Sequence, residues 1–373
     1  MITKFDDYNI HQTAMPVAQP SQSDRNFYDR YWMNGFDEDA SYLFEIGLGL
    51  YPNRRVMDAH FSVSLGDRQV CFHGSRRAPK ERADMSVGPL SLDILEPMRR
   101  LRVHLAPNEH NIECDLEFTA ISVPHEEPAN VMYDDGHLIM HNSRFTQMGR
   151  WNGWFSVDGE RVEVKQAFAT RDKSWGVRPV GEPQGGAPGL LNNDPGVYWI
   201  WNPVNWGEFC TQMGSFEDRD GRPTQVSADR LPLYSNPADI PEGEDEGLVP
   251  MRSVTHELSF ISGTRRPERA SFEMTSADGD TFAYELEPLR RFHMLGIGYN
   301  HFEWGHAYWK GELETGREDF DLTAINPLDY QFLHIHQVVR ARSGDRVGYG
   351  TLENIIIGRH TPSGFKELFD GAS

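Results

Sequence analysis

Residues 111–120 read NIECDLEFTA. Ile112, Cys114, Leu116, Phe118 and Ala120 fall on one side of an extended chain, and Glu113, Asp115 and Glu117 on the other. Side chains alternate every two residues in a strand but every 3.6 in a helix. The pattern therefore predicts a strand with one face in a core and one in water. DAHFSVSLGDRQV, residues 58–70, repeats it with Phe61, Val63 and Leu65 inward. Gly66-Asp67, Asp158-Gly159, Asp220-Gly221, Asp278-Gly279 and Ser343-Gly344 punctuate such runs as hairpin turns do. Helical spacing is scarce. One helix is expected to open at Ser23, in SDRNFYDRYWMNGF, and a short one within PSGFKELFD, residues 362–370. The chain reads as an all-β antiparallel protein.

A length of 373 residues suits two domains. Hydrophobic residues are few (38%) but aromatic ones many (12%), which fits a β core built from large rings. A net charge of −20 repels nucleic acid and anionic membranes, so neither is an expected partner. Cys71, Cys114 and Cys210 are far apart and odd in number, which suggests buried thiols in a reducing compartment. MITKFDDYNIHQ contains no apolar run of a signal peptide, and no window reaches membrane-spanning length. A soluble, cytoplasmic protein without membrane insertion is expected; a monomer and a homodimer both fit.

Two motifs recur in the same order. Leu95-Glu-Pro-Met-Arg-Arg100 is matched by Leu286-Glu-Pro-Leu-Arg-Arg291, and Val157-Asp-Gly-Glu-Arg-Val162 by Arg342-Ser-Gly-Asp-Arg-Val347. A tandem β unit follows, divided in the Gly-, Pro- and Asn-rich stretch from Gly181 to Gly196. The expected organisation is an arm over 1–30, one barrel over 31–185 and a second over 186–373. The acidic, proline-rich stretch from Ser235 to Pro250 reads as a disordered insertion or a lid. Closed barrels remove exposed edges and can hold a small apolar ligand.

GRWNGWFSVDGERVEV followed by ATRDKSWGVRP, residues 169–179, resembles the signature of the AttH and carotenoid 1,2-hydratase (hydroxyneurosporene synthase) superfamily. LGIGYNHFEWGHAYWK and VGYGTLENIIIGRHTPSGF resemble its second-barrel motifs. The resemblance runs from about Tyr42 to Phe365. It implies two lipocalin-like barrels in tandem and chemistry such as isoprenoid hydration or Diels–Alder cyclisation. The family's aspartate, tryptophan and arginine are retained as Asp172, Trp175 and Arg178, but its histidine is replaced by Lys173. A proton-transfer role for that histidine does not carry over.

On a strand, Asp172, Ser174 and Arg178 project to one side, and Arg171, Lys173 and Trp175 to the other. Asp172 is then either a structural partner of an arginine or a general acid whose pKa is raised by apolar walls. Read as a strand, YNHFEWGH aligns Tyr299, His301 and Glu303 on one face, a polar row suited to a ligand pocket or to a strand-linking network. His334 and His336 share a face in FLHIH, with Glu353 further on. With Glu303 or His306 they form a set of metal-ligand types, though no recognised metal spacing is present and no metal is assigned. Trp201, Trp304 and Tyr308 are aromatic candidates for a pocket wall, able to stabilise a carbocation by cation–π attraction. Arg99, Arg100, Arg290 and Arg291, present in both repeats, read as structural. No phosphate loop, nucleophile elbow or dinucleotide fingerprint occurs.

These readings converge on a cofactor-free enzyme for a hydrophobic small molecule of isoprenoid, steroid or aromatic type. The expected chemistry is acid–base: hydration, dehydration, isomerisation or cyclisation. Asp172 is the expected proton donor and Glu303 its alternative. His301, His306 and Tyr299 would orient water or accept a proton. Trp175, Arg178, Trp201, Trp304, Tyr308, His334, His336 and Glu353 would contact substrate. The alternatives are a non-catalytic carrier of a hydrophobic ligand and a metal-dependent lyase or oxygenase using His334, His336 and Glu303.

Overall fold

A computed structural model describes residues 4–8, 16–20, 22–134, 136–180 and 196–373. The expected boundary stretch, Gly181 to Gly196, lies almost wholly outside them. The first sheet takes β1 (Phe27–Phe36), β2 (Tyr42–Tyr51), β3 (Val56–Leu65), β4 (Arg68–Arg77), β5 (Ser86–Val87), β6 (Leu90–Glu96), β7 (Arg100–Leu105), β8 (Ile112–Ala120), β9 (His125–Asp134), β10 (His137–Val157) and β11 (Glu160–Val177). The second part of the chain forms β12 (Val197–Asn205), β13 (Phe209–Glu217), β14 (Pro223–Pro232), β15 (Val249–Phe260), β16 (Pro267–Ser276), β17 (Thr281–His293), β18 (Leu313–Asp321), β19 (His334–Ser343) and β20 (Arg346–Ile357).

The second set closes into an eight-stranded barrel without β18. β18 crosses over and pairs antiparallel with β4, extending the first sheet to twelve strands. That sheet curls until β5 and β6 lie against β3 and β4, so it is nearly closed. The chain forms the all-β structure expected from the alternation and the two-barrel architecture that the family resemblance implies. β8 alternates strictly between buried and half-buried positions, as NIECDLEFTA requires.

Both expected helices are absent. SDRNFYDRYWMNGF forms β1, and residues 362–370 form turns. The reason is visible in burial: every residue of β1 and β2 is buried. A strand packed on both faces loses its polar–apolar alternation, so period alone cannot distinguish it from a buried helix. Tyr31 and Met33 enter the first barrel's core, whereas Trp32 and Phe36 join Trp199, Trp201, Phe292 and Ile297 in a layer between the barrels.

The first barrel's interior is not wholly apolar. Arg171 is fully buried and pairs with Asp7 at 2.7 Å and with Gln147 Oε1, so the N-terminal arm closes over that barrel. Lys173 also points inward, onto Asp29 and the Tyr31 ring. The stretch from Ser235 to Pro250 docks on the same barrel, with Ile240 in its core and its carbonyl accepting from Arg99. Arg290 reaches from β17 to the carbonyls of Ala40 and Gly66, a tie between the barrels.

The two D/S-G-D/E-R-V motifs occupy the last hairpin of each unit, β10–β11 and β19–β20. The two L-E-P-x-R-R motifs do not correspond. The first turns between β6 and β7, and the second lies within β17 at an irregularity in its pairing.

Asn34 spans the interface: its Nδ2 donates to Thr351 Oγ1 at 2.7 Å and its Oδ1 accepts from the Thr170 amide at 2.9 Å. Asn34→Ala leaves a buried amide unpaired and is expected to lower unfolding free energy by about 1–3 kcal/mol, read by denaturant melts.

Candidate active site between the barrels

Alternation along β1 turns Arg30, Trp32 and Asn34 away from the first barrel's interior toward the second barrel. The Arg30 guanidinium donates to the Ile297 carbonyl at 2.7 Å. It needs Gly47 beneath it, because a Cβ there would lie 2.4 Å from the guanidinium. Trp32 meets the Trp201 and His336 rings edge-on, at 5.4 and 5.1 Å.

Glu45, on β2, is fully buried. It accepts from Trp32 Nε1 and from His336 Nδ1, both at 2.8 Å. The other nitrogen of His336 faces Glu353 Oε1 at 3.4 Å. Burial alone would lower the His336 pKa, but the two carboxylates outweigh it and push it up to about 10. His336 is therefore an imidazolium between two carboxylates. Glu353, despite burial, is held well below the ordinary range by His336 and His334.

His334 donates through Nε2 to Glu353 Oε1 at 2.6 Å. Burial lowers its pKa, so it is neutral, and its Nδ1 carries a lone pair. That Nδ1 is buried with no hydrogen-bond partner among the described residues, as is the indole N–H of Trp201. Unpaired buried groups of this kind are uncommon and mark places where water or ligand atoms complete the network.

Asp172 lies in β11 opposite Trp32 on one side and Thr146 on the other. Burial pushes its carboxyl up to about 7; Arg144 opposes this, while Glu127 and Glu353 add to it. No hydrogen bond or ion pair holds the Asp172 carboxyl among the described residues. The arginine that would have neutralised it is engaged elsewhere. Arg144 pairs with Glu127, which also accepts from Thr146 Oγ1 at 2.6 Å and Gln212 Nε2 at 2.7 Å. The Arg144 guanidinium lies 5.2 Å from the Trp199 ring centre and 5.6 Å from that of Trp201.

Tyr299 completes the group. Its ring is flanked by Arg30 and Arg178 and meets His306 and His334 edge-on, at 4.4 and 4.7 Å. His306 donates through Nε2 to the Ile297 carbonyl at 2.9 Å and accepts from Arg178 through Nδ1 at 3.2 Å. Burial and the nearby arginines lower its pKa well below 6.5. It is a neutral brace, with both nitrogens occupied.

The fold thus brings together Asp172, Arg178, Trp201, Tyr299, His306, His334, His336 and Glu353. Other expected residues stand apart. The strand expected over YNHFEWGH is instead turn and loop that follow a 3₁₀ turn, Met294–Ile297, so its residues do not share one face. Glu303 is 75% exposed and faces Lys310, so it stands in water and not in an apolar pocket. His301 binds Glu318 at 2.5 Å, and Trp304 stacks on His73, in a separate histidine cluster. Tyr308 lines a surface hollow beside Arg54 and Trp309. Trp175 is half-buried, 6.4 Å from Phe145 on the first-barrel side of β11. Lys173 likewise points away from Asp172.

Among the described residues, two groups present metal-ligand atoms within 4.8 Å of one another: His334, His336 and Glu353; and His73, His301 and Glu318. The first fits a divalent ion if His336 gives up its proton, because its Nδ1 already donates to Glu45 as a metal-bound imidazole does to a supporting carboxylate. The second does not. His301 Nδ1 accepts from the amides of Glu303 and Trp304, at 3.0 and 2.9 Å. Its Nε2 must then keep its proton.

Sequence reading missed Arg30, Trp32, Glu45, Glu127 and Arg144. Glu45 had a signal: it is the lone charge in the ten-residue run YLFEIGLGLY. Arg30 and Trp32 were hidden by the helical reading of β1.

The folded state retains the Asp172 proton up to about pH 7, whereas the unfolded chain releases it near 3.8. The raised pKa contributes stability present below pH 3.8 and lost as pH rises through 7. The melting temperature of Asp172→Asn, relative to the native protein, is expected to rise from pH 4 to 7 and then level off, measured by thermal melts across that range.

Comparisons place this fold among known proteins. Residues 2–366 match the family of unknown function DUF8625. No curated protein matches the chain in sequence. In structure the chain is similar to an AttH-like protein of Nitrosomonas europaea, at 10% identity and a TM-score of 0.52, over 88% of this chain and 92% of that one. It is also similar to kievitone hydratase of Nectria haematococca, at 12% identity and 0.50, over 95% and 98%. A third similar structure is CghA, at 11% identity and 0.50, over 90% and 89%. The chain belongs to the DUF8625 family and has the two-barrel fold of the AttH and carotenoid 1,2-hydratase group.

Proposed function

We propose that the seam between the barrels is the active site of a cofactor-free enzyme acting on a hydrophobic small molecule. The substrate is of isoprenoid, steroid or aromatic polyketide type, and the reaction is hydration or dehydration of a double bond, isomerisation or cyclisation. One observation carries this reading: the Asp172 carboxyl, raised to about 7, has no ion-pair partner among the described residues and lies in register with Trp32, whose ring meets that of Trp201. A general acid works best when its pKa lies near the working pH. Two proteins of the same fold are a hydratase and CghA, which supports the reaction class.

For hydration, Asp172 gives its proton to one alkene carbon. The cation on the other carbon faces the rings of Trp32 and Trp201, whose π-electrons stabilise it. A water oxygen bonds to that carbon and its proton passes to His334 Nδ1, the unpaired base oriented by Glu353. Dehydration reverses these steps. The indole N–H of Trp201 is available to a substrate oxygen.

Asp172→Asn is expected to reduce turnover about 100–10,000-fold with the fold retained. In the native enzyme kcat/KM should fall as pH rises through about 7, as the acid is lost. The substrate class comes first, from native mass spectrometry of freshly purified protein. Normal turnover by Asp172→Asn eliminates the assignment.

A second reading rests on the His334, His336 and Glu353 group, which can hold a divalent ion that polarises a substrate oxygen. Elemental analysis separates the two. One equivalent of metal, lost together with activity in His336→Gln, supports the metal site; metal-free protein with full turnover rejects it.

A further inference from the structure

β14 and β15 pair through only two positions, Asp229 with Pro250 and Arg230 with Val249. Beyond them the wall of the second barrel opens into a cleft of about 540 Å³. Its apolar side is formed by Val226, Val254 and Leu258. Its polar side carries a hydrogen-bonded line that plays no part in the inter-barrel chemistry.

The line begins at Ser363, in the turn after β20. Its hydroxyl lies 2.8 Å from His360 Nδ1. His360 Nε2 lies 3.2 Å from Glu217 Oε2, and His256 binds the other oxygen of Glu217. Burial would raise the Glu217 pKa, but the two imidazoles overcome it and hold it at about 2, so Glu217 is a carboxylate. His360 must therefore donate from Nε2, which leaves its Nδ1 lone pair to accept the Ser363 proton. The Tyr198 ring stacks on His360 with centres 3.8 Å apart. His360 is buried while Ser363 and Glu217 are half-buried, and all three line the cleft.

A hydroxyl bonded to the basic nitrogen of an imidazole, whose other nitrogen is fixed by a carboxylate, is the arrangement of an activated nucleophile. The nitrogens exchange places relative to the common serine triad, but the proton path is the same. We propose that the mouth of the second barrel is a separate acyl-transfer site, with Ser363 as nucleophile, His360 as base and Glu217 as the carboxylate that orients it. The substrate class is a small ester with an apolar acyl chain.

In the first step the Ser363 oxygen bonds to the ester carbonyl carbon and its proton passes to His360 Nδ1. The ester C–O bond then breaks, and His360 returns the proton to the departing alcohol. Water attacks the acyl-serine, giving a proton to His360. The Ser363–acyl bond breaks, the carboxylic acid leaves, and Ser363 recovers its proton from His360.

The test treats the full native chain with an alkyl fluorophosphonate and maps the modified peptide by mass spectrometry. It also measures hydrolysis of p-nitrophenyl butyrate. The expected result is one label per chain on Ser363, with hydrolysis reduced about 100-fold in Ser363→Ala and also reduced in Glu217→Gln. Fluorophosphonate labelling that spares Ser363 in the native chain overturns the proposal, and this readout does not depend on any variant folding. Hydrolysis at the native rate by folded Ser363→Ala overturns it equally.

Discussion

An imidazolium joins two carboxylates that come from different barrels. Glu45 is carried by the first barrel, and His336 and Glu353 by the second. None of the three is tolerable alone in that place. Removing the cation would leave two buried anions, and breaking a buried pair in this way costs about 3–5 kcal/mol. The triad therefore requires the barrels to meet in one register. That register in turn buries β1 and β2 on both faces and brings Trp32 against Trp201. It also fixes the charge around Asp172, since the ionised Glu353 is one of the groups that discourage Asp172 from ionising.

The second constraint is the crossing of the chain between β17 and β19. Residues after His293 leave the second barrel, wedge the turn Met294–Ile297 between the barrels, and continue as β18 on the first sheet. Gly298 takes φ of 92° here, close against the His306 ring. This route places Tyr299 and His306 at the seam while carrying His301 and Glu318 onto His73. One stretch of sequence thus supplies two clusters with different tasks. The neutral His306 braces Arg178, and the His73–His301–Glu318 group anchors the added strand.

The chemistry of the seam follows from unequal pairing. Every cation around Asp172 is committed: Arg144 to Glu127, Arg30 to the Ile297 carbonyl and Arg178 to His306. Asp172 is half-buried, and a carboxyl largely shielded from water with no partner keeps its proton to higher pH. His334 is the mirror case, an imidazole kept neutral by burial with one nitrogen unclaimed. Under the proposed reaction these two groups serve as acid and base, because their environments set their protonation apart.

The sequence alone determined the strand character of most of the chain, because a one-sided strand must alternate polar and apolar residues, as residues 111–120 do. It also singled out Asp172, through a motif shared with a known fold, and the shared face of His334 and His336, through their spacing of two. The tertiary structure decided the rest. β1 carries no period because both its faces are buried, so Arg30 and Trp32 were unreadable as site residues. Glu303 lies next in sequence to aromatic residues but faces water, since the chain there turns instead of extending. Glu45 and Glu353 are 308 residues apart. No local pattern announces that one histidine will lie between them, because the burial that makes that contact necessary exists only once two barrels have packed together.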